Sequence, residues 1–163
     1  MKIVGPMRMS AVELAYQRQQ FYESQSLNGV LCMVHTIGGT HEETHDFYGD
    51  VSDEITSYSN KFATYITFDT HPTIKTLKSL GWYIDNTTLP VLAYIPVIYG
   101  DALNRKQYTP QIDDRIVLPA DCNLYHDIIR DEESFLIKKM VGQGYPDVVY
   151  YVANLVPYRR DAR

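Results

Sequence analysis

Apolar residues come in short bursts along this chain, and the spacing within each burst separates strands from helices. Val30-Leu31-Cys32-Met33-Val34-His35-Thr36-Ile37 follows the turn pair Asn28-Gly29 and predicts a buried strand. Lys61 to Phe68 alternates and predicts a second. Leu89 to Val97 predicts a third, and Pro90 and Pro96 near its ends suggest an edge or a bend. The last third holds three more runs: Asp113-Asp114-Arg115-Ile116-Val117-Leu118-Pro119, Ser134 to Met140, and Val148 to Pro157. With turn chemistry between them, they read as consecutive strands of a small sheet or barrel.

Two stretches carry helical signals. Ser10-Ala11-Val12-Glu13 has capping-box spacing and predicts a helix running to about Ser24, behind an extended arm at 1–9 broken by Gly5-Pro6. Its apolar residues, Val12, Leu14, Ala15, Phe21 and Tyr22, form a thin stripe suited to packing by one edge on a sheet or a neighbouring subunit. Pro72 to Gly81 predicts a short helix, with Asp69 or Thr70 as its cap. Ile74, Leu77 and Leu80 share one face, and Trp82 should dock back onto the sheet. Segments 38–60 and 99–111 are polar and aperiodic, so they are expected to be long loops, mobile or ordered by a partner. The expectation is an α+β, β-rich fold: a small β-barrel or sandwich with an N-terminal helix and one short embedded helix. One domain should span 1–163, with arm and helix at 1–27 and the core at 28–160.

Composition narrows the function classes. The 163 residues are 45% hydrophobic and 21% charged, ordinary for a soluble globular chain. The net charge of −5 argues against nonspecific nucleic-acid binding, which depends on basic residues displacing counterions at phosphates. Arg159, Arg160 and Arg163 are the only basic cluster. Fourteen tyrosines suit half-wet sheets and protein interfaces. Cys32 and Cys122 have no Cys-x-x-Cys spacing and read as buried reduced thiols. Met1-Lys2-Ile3-Val4 before Gly5-Pro6 does not resemble a secretory leader, and no apolar run approaches a bilayer span, so a cytosol-like location and no membrane contact are expected.

His41-Glu42-Glu43-Thr44-His45 is a literal H-E-x-x-H. On a helix, that spacing aims two imidazoles at one zinc while the first Glu activates the metal-bound water. Here Gly38-Gly39 precedes it, Gly49 follows, and no apolar face accompanies it, so a polar loop is the expectation. Any other metal site would draw on His35, His41, His45, His71 or His126, which are simply all the histidines of the chain. Asp69 reads as a helix cap and Asp113-Asp114 as a turn. Gly142-Gln143-Gly144-Tyr145-Pro146-Asp147 lacks the Lys and following helix of a phosphate loop and reads as a hairpin. No catalytic residue, metal or cofactor is expected.

Leu89-Pro90-Val91-Leu92-Ala93-Tyr94-Ile95-Pro96, Asp113 to Pro119, Phe135-Leu136-Ile137-Lys138-Lys139-Met140 and the closing Leu155-Val156-Pro157-Tyr158-Arg159 together resemble tailed-phage neck proteins, the head–tail connector or head-closure components. The resemblance covers about Thr67 to Arg160. It implies a structural virion component, assembled in host cytoplasm. Its partners would be further copies in a ring, a portal or adaptor protein, and a tail protein, with passive contact to DNA in the channel. An acidic ring would pass DNA without gripping it. Contacts between copies are then expected from the arm at 1–9, the helix at 11–24 and strand edges near Tyr150 and Tyr151. A β-barrel protein-binding module and a zinc-dependent hydrolase built on His41 to His45 are the alternatives.

Overall fold

The computed structural model describes residues 6–37, 58–82, 91–119, 122, 133–144 and 147–158. Six antiparallel strands close into a barrel, in the order β1 (Val30–Ile37), β2 (Tyr58–Asp69), β3 (Val91–Pro96), β8 (Tyr150–Pro157), β7 (Ser134–Gln143) and β6 (Arg115–Val117). Two-residue strands β4 (Ile98–Tyr99) and β5 (Lys106–Gln107) form a separate ribbon. Helices α1 (Pro6–Asn28) and α2 (Ile74–Ser79) complete the β-rich α+β fold.

Strand periodicity fills the barrel. Successive side chains on a strand point to opposite faces. Cys32 and Val34, then Ile66, then Val91, Ala93 and Ile95, then Ile116, Phe135, Ile137, Ala153 and Leu155 form one buried apolar cluster. Burying each large member stabilises the fold by about 1.5–3 kcal/mol. A bulge between Ile137 and Lys139 resets the alternation in β7, so Phe135 and Ile137 face the core before it and Met140 packs there after it. Lys138 and Lys139 both stay exposed at the reset.

Several expectations are corrected. The first helix starts at Pro6, not Ser10, and ends at Asn28, not Ser24. Proline suits a first helical position, where its missing N–H leaves no bond unmade. The Ser10–Glu13 box therefore lies inside the helix, and the expected arm loses residues 6–9. At the other end nothing breaks the helix before Gly29. There the backbone passes so close to β2 that an added Cβ would lie 2.7 Å from the Gln25 carbonyl oxygen and 3.1 Å from that of Ile66. The cap of α2 is Thr73, whose hydroxyl accepts from the Thr76 amide at 3.2 Å. Asp69 instead accepts from the His71 amide at 3.0 Å and shapes the preceding turn. Leu77 is buried and Trp82 docks beside it against Leu92 and Val152, but Ile74 points to solvent.

β3 is not an edge, and the chain bends only after it, at Val97. It pairs with β2 through Ala93↔Phe68 and with β8 through Ala93↔Ala153, and Pro96 falls at its last residue, where a missing N–H is tolerated. A closed barrel leaves no edge strand, so Tyr150 and Tyr151 are not edge residues. Tyr150 stacks on Phe21 with ring centroids 4.5 Å apart, and Tyr151 packs against the interior cluster. Segment 99–111 is also not a plain loop. β4 pairs with β5, Phe62 stacks on Tyr99 at 3.9 Å, and Tyr108 is buried in the core cluster with its ring edge-on to Phe62 at 4.9 Å. Of the other expected loop, 58–60 belong to β2, while 38–57 lie outside the described residues.

α1 lies on the outside of the barrel across β1, β2 and β3. Its inner side is held by mixed chemistry. Phe21 meets Tyr150, Arg18 donates through Nε to the Val148 carbonyl at 2.8 Å, and Tyr22 meets the edge of Tyr65 under the Arg105 guanidinium. Gln25 is buried. It donates to the Tyr94 carbonyl at 3.1 Å and accepts from the Thr67 hydroxyl. Of the expected apolar stripe, Leu14, Phe21 and Tyr22 are half-buried, whereas Val12 and Ala15 are exposed.

Candidate functional site

Among the described residues, those that could carry chemistry are not brought together. His41, Glu42, Glu43, Thr44, His45 and His126 lie outside the described residues. His35 sits on β1, in register with Lys61 of β2 and Arg115 of β6. His71 is exposed beyond the end of β2, its Nδ1 2.9 Å from the Thr70 hydroxyl. Among the described residues no three His, Cys, Asp or Glu side chains gather as a metal site. Gly142 to Gly144 lead into the β7–β8 hairpin as expected, closed by the Val149 amide donating to the Gln143 carbonyl at 2.7 Å. Residues 145–146 of that hairpin lie outside the described residues.

Asp113 and Asp114 do form a turn, but they part company. Asp113 takes a left-handed φ of 73° and pairs with Lys138 at 3.1 Å on the surface. Asp114 is fully buried. One carboxylate oxygen accepts from the Tyr108 hydroxyl at 2.6 Å and the Gln111 amide at 2.9 Å. The other accepts from the Ile37 amide at 3.1 Å, where β1 leaves the barrel. This single side chain ties the end of β1 to the β5–β6 connection. Sequence reasoning missed it, although a signal was there: Asp114 shares parity with Ile116 and Leu118, both of which face the core.

Burial sets the protonation states inside. Cys32 is held as a neutral thiol, its pKa pushed well above 9.0 by burial and then by the nearby Cys122 thiol. It is not in a disulfide, and neither is the half-buried Cys122. The Tyr108 phenol is pushed well above 10.0 by burial, then by the Asp114 charge and their hydrogen bond. Both groups therefore ionise more readily in the unfolded chain. Their stabilising effect is complete below about pH 8 and is lost as pH rises, first for Cys32 and then for Tyr108, by about 1.4 kcal/mol per pH unit for each group once its unfolded pKa is passed. Urea midpoints should fall steadily from pH 9 to 11, and Tyr108→Phe should flatten the upper part of that decline. A midpoint that stays level over this range would contradict the assignment.

With the interior committed to packing, the exterior is where the described chain offers something to bind. The outer side of α1 carries Val12 at 78% exposure, Tyr16 at 60% and Leu27 at 85%. The chain then continues into β1, where Leu31 and Met33 alternate with buried Cys32 and Val34 and also face out. Across the barrel, Arg115, Lys138 and Lys139 make the exterior of β6 and β7 basic, with exposed Ile112 just ahead of β6. Scattered apolar surface residues are ordinary, but rows on one helix face and one strand face indicate a docking surface. No family model, curated protein or solved structure matches the chain.

Proposed function

We propose that this protein is a structural component of a tailed-phage neck, forming a ring that joins portal to tail and closes the DNA channel. The observation that carries the reading is the division of labour within the barrel. Its apolar interior is filled by its own side chains, while Val12, Tyr16, Leu27, Leu31 and Met33 place large apolar groups in solvent. A solitary domain gains nothing from that exposure; a repeated assembly buries it on every copy. The small barrel that the neck resemblance implies agrees with the observed fold, and the net charge of −5 suits a wall along which DNA must slide. The role is mechanical and calls for no catalytic residue, metal or cofactor. In the virion the protein would sit at one vertex only.

Epitope-tagged protein in purified particles tests this. Gold label is expected at the single junction between head and tail. Label spread over the capsid, or absent from particles, would remove the reading, and the second result would favour a free-standing protein-binding barrel.

A further inference from the structure

Resting on that reading, we propose the contact that builds the ring: the outer face of α1 in one copy docks on the β6–β7 wall of the next. The helix contacts fix which side faces out. Arg18, Phe21, Tyr22 and Gln25 are turned to the barrel, so Val12, Tyr16, Glu23 and Leu27, spaced by four, seven and four, lie along the opposite side. Glu13 and Glu23 are exposed, and the one described basic side chain of α1, Arg18, is drawn inward to the Val148 carbonyl. The described part of this face is therefore apolar and acidic.

The complementary wall is apolar and basic. Alternation turns Arg115 and Leu136 outward, because Ile116, Phe135 and Ile137 face the core. The bulge adds Lys138 and Lys139, and Ile112 stands beside them, its neighbour Asp113 donating its amide to the Ile137 carbonyl at 2.8 Å. Asp113 pairs with Lys138 at 3.1 Å. Arg115 lies with its guanidinium over the Tyr158 ring at 4.5 Å, which holds this positive charge on the β6 side of the wall.

Position completes the argument. In the closed order β1-β2-β3-β8-β7-β6, β7 stands across from β2 and β6 across from β3, while α1 rides on β2 and β3. Two complementary faces on opposite walls give a head-to-tail contact. Repetition of such a contact makes a ring or filament, not a two-fold dimer. Opposite charge on the two faces sets the register and disfavours self-pairing of either one.

The test uses the full chain carrying Tyr16→Cys and Lys139→Cys, treated with a short bismaleimide, both as purified protein and within particles. A ladder of covalent multimers is expected from the double variant and not from either single variant. Unaltered chain sets the background from Cys122. Glu13→Lys with Glu23→Lys should reduce the ladder about tenfold or more, because like charges then face each other, and adding Lys138→Glu, position 139 already being cysteine, should restore part of it. Three results overturn the contact: no ladder in either setting, dimers from Tyr16→Cys alone, or indifference to the charge reversals. Gold label at the neck together with any of these would leave the neck reading standing without this contact. A charge-sensitive ladder with no label at the neck would do the reverse.

Discussion

Asp114→Ala is expected to lower folding stability by about 3–5 kcal/mol, read as a drop in the urea midpoint at unchanged m-value. The carboxylate is buried and accepts from Tyr108, Gln111 and Ile37, so its loss strands three donors at once. Hydrogen bonds to a charged group are each worth about 1.5–3 kcal/mol, and a stranded buried donor adds its own desolvation cost. Three elements would also be untied: β1 at its exit, the β5–β6 connection and the start of β6. Tyr108→Phe removes one of the three donors and should cost less, about 1–2 kcal/mol. The two changes together should cost less than the sum of the singles, since they share one bond. A loss below about 1 kcal/mol for Asp114→Ala would mean that water replaces these bonds and that the carboxylate is not the tie described.

Phe135→Ala should be as damaging, about 4 kcal/mol. Phe135 is fully buried, on β7 where it pairs with Ile116 of β6 and Pro157 of β8, and its ring lies 6.4 Å from that of Phe68 on β2. It thus bridges the barrel wall to wall. A closed barrel cannot contract around a missing ring without breaking register somewhere, so most of the cavity would remain. Small domains retain only about 5–15 kcal/mol in total, so the variant should be partly unfolded near body temperature. Phe135→Leu keeps most of the volume and should lose less than half as much. Circular-dichroism melting of the two variants checks the order; equal melting points for Leu and Ala would contradict a tightly filled interior.

The strands were legible because their signal is local. Alternating or continuous apolar runs bounded by Asn28-Gly29, Asp113-Asp114 and Gly142-Gln143-Gly144 mark six strands without reference to anything distant. Closure is not local. It depends on a three-residue pairing of β1 with β6, across which Met33 meets Val117, and neither segment announces that partner. That is why barrel and sandwich could not be separated, and why Tyr150 and Tyr151 seemed to belong to an edge. The α1 start failed for a different reason: Gly5-Pro6 read as a break in an arm, whereas the helix includes Pro6, and the capping spacing at Ser10 falls inside it. Asp114 and Gln25 were hidden because a polar residue flanked by turn or polar neighbours reads as solvated. Only tertiary contact shows that one is a tie at the mouth of the barrel and the other a clamp under the helix.

The docking faces were half legible. The thin stripe on α1 indicated a helix with little to bury, but the side chains that would face a partner, Val12, Tyr16 and Leu27, emerge only when Arg18, Phe21 and Gln25 claim the inner side. The basic wall of β6 and β7 owes its paired lysines to a bulge that no spacing rule foretells. His41 to His45, the one motif with a named chemistry, falls outside the described residues.

Removing the gene tests the neck assignment most directly. Electron micrographs of particles assembled without this protein, with their packaged DNA measured, should show heads that carry no tail and lose their DNA after filling. Supplying the protein in trans should restore tailed, filled particles. Normal, infectious, tailed particles in its absence would contradict the account.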